Sequence, residues 1–104
     1  MRAVRLSGGL DGCSGKVEIH RNGTWGSICH DCWEKQEAAM VCSMLGCGEP
    51  VQFIGFQSPF NTHNSGPKWY YMCSKKHQNL WDCHELADPS FCVKSQAAAL
   101  ICNG

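Results

Sequence analysis

The sequence contains no run approaching the roughly eighteen consecutive apolar residues of a membrane-spanning helix, and its opening "MRAVRLSGG" lacks the apolar stretch of a signal peptide. It therefore reads as a domain without membrane insertion of its own, cut from a larger secreted or membrane-anchored protein. Neither sign of charge is in excess, since nine Lys and Arg balance nine Asp and Glu over 104 residues. No global field steers such a chain toward nucleic acid or an anionic membrane. It also lacks a GxSxG elbow, an HExxH pair and a glycine-rich phosphate loop, the common marks of hydrolases, zinc peptidases and nucleotide enzymes. Its five histidines, His20, His30, His63, His77 and His84, lie scattered among polar neighbours as ordinary surface residues. No enzyme and no cofactor are expected. Internal repeats and low-complexity segments are absent as well.

Cysteine is what the chain has in quantity: nine of them, near the density at which small extracellular domains rely on cross-links. A single domain over residues 1–104 hides only about two thirds of its unfolded surface, so its apolar core is modest and needs that help. The sequon Asn22-Gly23-Thr24 agrees with an extracellular location and makes Asn22 a candidate glycosylation site.

Glycine-containing turns divide the first half into short alternating runs, "AVRLSG", "GKVEIHR" and "TWGSICH", each a predicted strand. Within "KVEIH", Val17 and Ile19 point to one face, the core, while Lys16, Glu18 and His20 point to the other, open to a partner. One segment has helical period: between Glu34 and Leu45, the residues Ala38, Val41, Cys42 and Leu45 form an apolar stripe. Asp31 upstream is a candidate cap and Gly46 a left-handed stop. "VQFIGF", "KWYYMC" and "AAALIC" supply further strands around a loop rich in Pro, Asn and Ser. Alternating strands predict hairpins, so the expected fold is α+β: a small curved antiparallel sheet cradling one α-helix and stapled by disulfides.

The CxxC pair Cys29 and Cys32 admits three chemistries. A structural zinc site usually needs a second such knuckle, which the spacing of the other cysteines does not provide. A thiol redox site needs a parallel βαβ unit, which the hairpin pattern does not favour. Structural disulfides are the simplest reading, but nine cysteines leave the connectivity open.

Taken together, "VRLSGG", "CSGKVEIHRNGTWGSIC", "EAAMVCSMLGCG", "LWDC" and the closing "ALIC" resemble the scavenger receptor cysteine-rich domain in its eight-cysteine form, group B. The resemblance implies the pairs Cys13 with Cys47, Cys29 with Cys92, Cys42 with Cys102, and Cys73 with Cys83. Cys32 is then left over, as a free thiol or as the link in a covalent dimer. It also implies a non-enzymatic recognition module, and two ligand classes follow from different segments.

A bacterial-binding motif of the family resembles "GKVEIHRNGTW", in which Lys16, His20 and Arg21 would supply positive contacts to a bacterial surface polyanion, with Val17, Ile19 and Trp25 as core. Relatives that bind polyanions through a cation use an Asp pair and a Glu where this chain has His30, Asp31 and Gln96. One surviving carboxylate makes a poor calcium site, so no metal is expected. The segment "SGPKWYYMC" and the tail "SFCVKSQAAALIC" resemble instead the T-lymphocyte surface glycoprotein branch. That branch implies a protein ligand on a cell surface, such as an immunoglobulin-like adhesion molecule. Trp69, Tyr70 and Tyr71 are the candidate anchors, because at least one of three adjacent strand residues faces outward and exposed aromatics anchor interfaces. Lys75 and Lys76, with His77, form a local basic patch that would serve either ligand.

The odd cysteine count has a direct consequence. Alkylation of the unreduced protein followed by intact mass spectrometry should find one modified thiol, at Cys32, or a covalent dimer. A monomer of unadducted mass with no modified thiol would contradict it.

Overall fold

The computed structural model describes residues 2–9, 11–21, 23–29, 33–52, 67–74, 76, 78–87 and 98–104. Its sheet is organised by β2 (Ser14–Arg21), whose Val17 and Ile19 are fully buried. β1 (Ala3–Gly8) pairs antiparallel along its whole length with β2, matching Leu6 to Val17 and Arg5 to Glu18. Each residue of a strand can serve one neighbour per edge, so the other edge is divided. Its first half pairs with β7 (Ala99–Cys102) and its second with β3 (Thr24–Ile28), both antiparallel. The two branches separate at Ala98, which donates to the Ile28 carbonyl and accepts from the Val17 N–H. From there one branch continues from β7 to β4 (Pro50–Gln52), and the other from β3 to β5 (Lys68–Met72) and β6 (His84–Ala87). A 3₁₀ turn, Leu80–Asp82, precedes β6.

The fold is α+β, but the sheet is mixed rather than wholly antiparallel. β3 and β5 run parallel, with Ser27 beside Lys68 and Ile28 beside Trp69. Gly26 is what lets them meet. A Cβ there would collide with the Pro67 carbonyl oxygen and stand 3.1 Å from the Trp69 indole nitrogen. A parallel pair needs a long crossover, and the intervening chain supplies it with α1 (Lys35–Met44).

The helix begins where periodicity places it, though not through the expected cap. Its N-cap is Glu34, whose side chain makes no capping bond, while Asp31 lies outside the described residues. Glu37, three positions on, reaches back to the Glu34 backbone N–H, half of a capping box. At the other end the Cys47 N–H bonds the Cys42 carbonyl and the Gly46 N–H that of Ser43, a Schellman closure with Gly46 at φ 69°. Ala38, Val41 and Cys42 face the core, joined by Met40 and Glu37. They pack with Val17, Ile19, Ile28, Leu80 and Leu100.

Cross-links fix that packing. Cys13 bonds Cys47, Cys42 bonds Cys102 and Cys73 bonds Cys83. Cys29 is also disulfide-bonded, while Cys32 and Cys92 lie outside the described residues, as does Asn22. The helix is thus held through its stripe to β7 and through its end to the approach to β2.

Loop closure gives an order of cost. The Cys42–Cys102 bridge closes 60 residues and the Cys73–Cys83 bridge 10, corresponding to about 4 and about 3 kcal/mol in the chain-entropy account. Replacing both cysteines of each pair by alanine and unfolding with urea should find the helix bridge the more costly loss. A reversed order would show that loop closure does not govern the cost.

Candidate functional site

Strand alternation divides the candidate basic residues between two faces. Lys16, Glu18 and His20 lie on the outer face of β2, and Arg21 lies on the face of Val17 and Ile19. The three cations of the expected polyanion motif do not form one surface.

On the outer face the charges are matched locally. Glu18 accepts a 2.8 Å hydrogen bond from Arg5, its cross-strand partner, and lies 3.6 Å from the Lys16 ammonium, whose side chain is only 15% exposed. Burial pushes the Glu18 carboxyl up, but hydrogen bonds from Arg5 and Ser7 and the charges of Arg5 and Lys16 outweigh it and hold the pKa low. Trp25, expected in the core, is half-buried on this outer face. Its register opposite His20 puts it there, with the Arg5 guanidinium 3.7 Å above its ring and His20 tilted against it at 5.0 Å.

Arg21 belongs to a second cluster. Glu85 of β6 accepts from Arg21 at 2.8 Å and from Arg2 at 2.9 Å through one oxygen. The Arg21 guanidinium also lies 5.0 Å from the Trp69 ring. Burial and the adjacent Glu85 carboxylate push the Tyr71 phenol above its ordinary range.

The aromatic triplet alternates as a strand must. Trp69 and Tyr71 are buried, Tyr71 to 1% exposure, and are withdrawn as surface anchors because they fill the core side of β5. Tyr71 packs edge-on against Trp81. Tyr70 alone of the three turns outward, half-buried, in register with Leu86 of β6, and Met72 beside it pairs with His84. Met72 is 42% and Leu86 36% exposed. Lys76 is exposed; Lys75 and His77 lie outside the described residues.

A depression of about 250 Å³ opens between the first turn of α1 and β5, lined by Glu34, Gln36, Glu37, Tyr70, Tyr71, Met72 and Cys73. Sequence reasoning missed it because its walls are distant in the chain. Burial pushes the Glu37 carboxyl above its ordinary value, and the Glu34 charge adds to this against backbone N–H donors at Glu34 and Glu37. Among the described residues no three His, Cys, Asp or Glu side chains gather as metal ligands. His30, Asp31 and Gln96, the positions of the degraded cation site, lie outside them.

The Glu37 shift has a definite sign. A raised carboxyl pKa means the folded state binds the proton more tightly, so ionisation costs stability as pH rises from the unfolded value through the folded one. Glu37→Gln should therefore raise the thermal midpoint near about pH 7, and the advantage should vanish near about pH 3, where both side chains are neutral. A gap that persists at the lower pH would show that the charge is not its origin.

Comparison with known proteins finds the same architecture. The family described as scavenger receptor cysteine-rich domain matches residues 7–103. T-cell differentiation antigen CD6 of Mus musculus is 33% identical over 101 residues, which span 96% of this chain and 15% of that protein. CD5 antigen-like of Homo sapiens is 34% identical over 104 residues, spanning 97% of this chain and 30% of that protein. The chain thus spans less than a third of either relative's length. The crystal structure of CD5 domain III, the fold of a group B scavenger cysteine-rich receptor, has a TM-score of 0.66 at 21% identity. It covers 99% of this chain and 95% of that one, a likeness of fold alone.

Proposed function

The chain belongs to the scavenger receptor cysteine-rich family, whose domains are extracellular, non-catalytic recognition modules, and from that premise we propose that it binds a protein ligand on a cell surface, such as an immunoglobulin-like adhesion molecule. Its setting in this reading is the ectodomain of an immune receptor of the CD6 and CD5-like kind, or a secreted relative of one. Among the described residues no helix is long and apolar enough to cross a membrane.

The carrying observation is the internal pairing of the cations. A polyanion needs free positive charge along a continuous track, yet Lys16 and Arg5 face Glu18, and Arg21 and Arg2 share Glu85. Engaging them would mean separating ion pairs already formed. The outward strip has the opposite character: Met72 and Leu86 expose apolar side chains and Tyr70 stands half-buried beside them, and aromatic residues and Met are enriched at interfaces.

A second reading, recognition of bacterial surfaces, rests on the motif from Gly15 to Trp25 and on the exposed Lys76. The two separate in one assay. The protein is tested against an immunoglobulin-like adhesion ectodomain and against a bacterial polysaccharide, each with and without chelator. The ectodomain should bind equally in both conditions, and Lys16→Ala should change that binding by less than about twofold. Strong polysaccharide binding abolished by chelator would overturn the protein-ligand reading.

A further inference from the structure

Three of the four methionines lie within the described residues, and the fold gives each sulfur a different environment. Met40, on the buried side of α1, is 7% exposed and its Sδ lies 3.9 Å from the Cys83 Sγ. Met44, one turn on and half-buried, accepts a hydrogen bond from the Leu80 N–H at 3.4 Å through its Sδ. Both sulfurs belong to the seam where the helix meets the 3₁₀ turn. Met72 is placed otherwise. It ends β5 on the outward face and is 42% exposed, and among the described residues its sulfur accepts no hydrogen bond.

A thioether is oxidised through a lone pair on sulfur, so access to that sulfur and its engagement by a donor set the order of attack. We propose that Met72 is a site of oxidative modification, at which a peroxide turns the outward strip of β5 and β6 from apolar to polar while the fold is kept. In this step the Met72 Sδ attacks one oxygen of hydrogen peroxide. The S–O bond forms as the O–O bond breaks, and the proton of the transferred oxygen passes to the departing hydroxide, which leaves as water. Sulfur is oxidised by two electrons and the peroxide is reduced by two. The product is a polar sulfoxide, which methionine sulfoxide reductases return to the thioether.

The setting of Met72 confines the change to the surface. His84 lies across from it and Tyr70 and Leu86 follow on the same face. The Cys73–Cys83 bridge joins the residues next to the Met72 and His84 pair, so the register of β5 on β6 is held covalently at that point whatever the side chain carries. Met44 is the contrast, because it packs against the core cluster and a sulfoxide there would set a polar oxygen in the seam. The inference does not depend on which ligand the domain binds.

The test is a hydrogen peroxide time course on the disulfide-intact protein, read by peptide mapping. Met72 should convert at least about fivefold faster than Met44, with Met40 slowest. Once Met72 is converted and Met40 and Met44 are not, the thermal midpoint should move by less than about 2 °C. Retention on a hydrophobic-interaction column should fall at the same stage, and methionine sulfoxide reductase should restore it. Met72→Leu, a volume-conserving change at an exposed position, should keep its retention through the same treatment. That variant retains Met1 and so controls for oxidation there. Conversion of Met40 or Met44 as fast as Met72 would overturn the proposal. So would unfolding that tracks Met72 conversion, or an equal loss of retention in Met72→Leu.

Discussion

The Cys42–Cys102 bridge joins the buried stripe of α1 to the strand that shares an edge of β2, and the remaining architecture is arranged about that tie. A domain of this length has too little apolar core for burial alone to hold a helix in one pose. With the helix stripe bonded to β7 and Cys47, just past its end, bonded to Cys13, the helix can neither slide nor roll on the sheet. Its first turn, free of cross-links among the described residues, is thereby presented at a fixed position beside β5. A feature built from Glu34, Gln36 and Glu37 on one side and Tyr70 and Met72 on the other holds its shape only under that condition.

Division of the second edge of β2 performs the complementary task. Because β7 takes one half and β3 the other, the sheet splits into two branches at Ala98. The β3, β5 and β6 branch passes the start of the helix, with one face of β5 turned to the core. The other face carries Tyr70, half-buried, and Met72, exposed, through the same alternation that buries Trp69 and Tyr71. Exposure of this apolar strip is thus the outward half of a strand whose inward half the core requires.

Much of this was legible in the residues. Period-2 runs mark β1, β2 and β3, the Ala38 to Leu45 spacing marks the helix, and Gly46 marks its end. Three features were not. The parallel pairing of β3 with β5 depends on Gly26 admitting Pro67 and Trp69, a contact between segments about forty residues apart with no local signal. β6 reads "HELA", four residues without β-branching or alternation, and is a strand because β5 offers it an edge. Trp25 was expected in the core from the family's motif, whereas its register opposite His20 sets it outside, under Arg5. Alternation could have separated Arg21 from Lys16 and His20 at once, since odd and even positions of a strand never share a face.

Charge placement follows the same logic. An exposed ion pair is worth at most about 1 kcal/mol, so the Arg5–Glu18 contact, with its arginine half exposed, adds little to stability. The larger effect of the ion pairs is on recognition. Each carboxylate cancels positive charge at the spot where a polyanion would otherwise gather, and Glu85 does so for two arginines at once. At the start of α1 the balance differs: Glu34 and Glu37 line a concavity whose described lining holds no cation, and the Glu37 carboxyl is met instead by backbone N–H groups. Binding energy comes from groups whose interactions improve on docking, and paired surface charges have little left to improve.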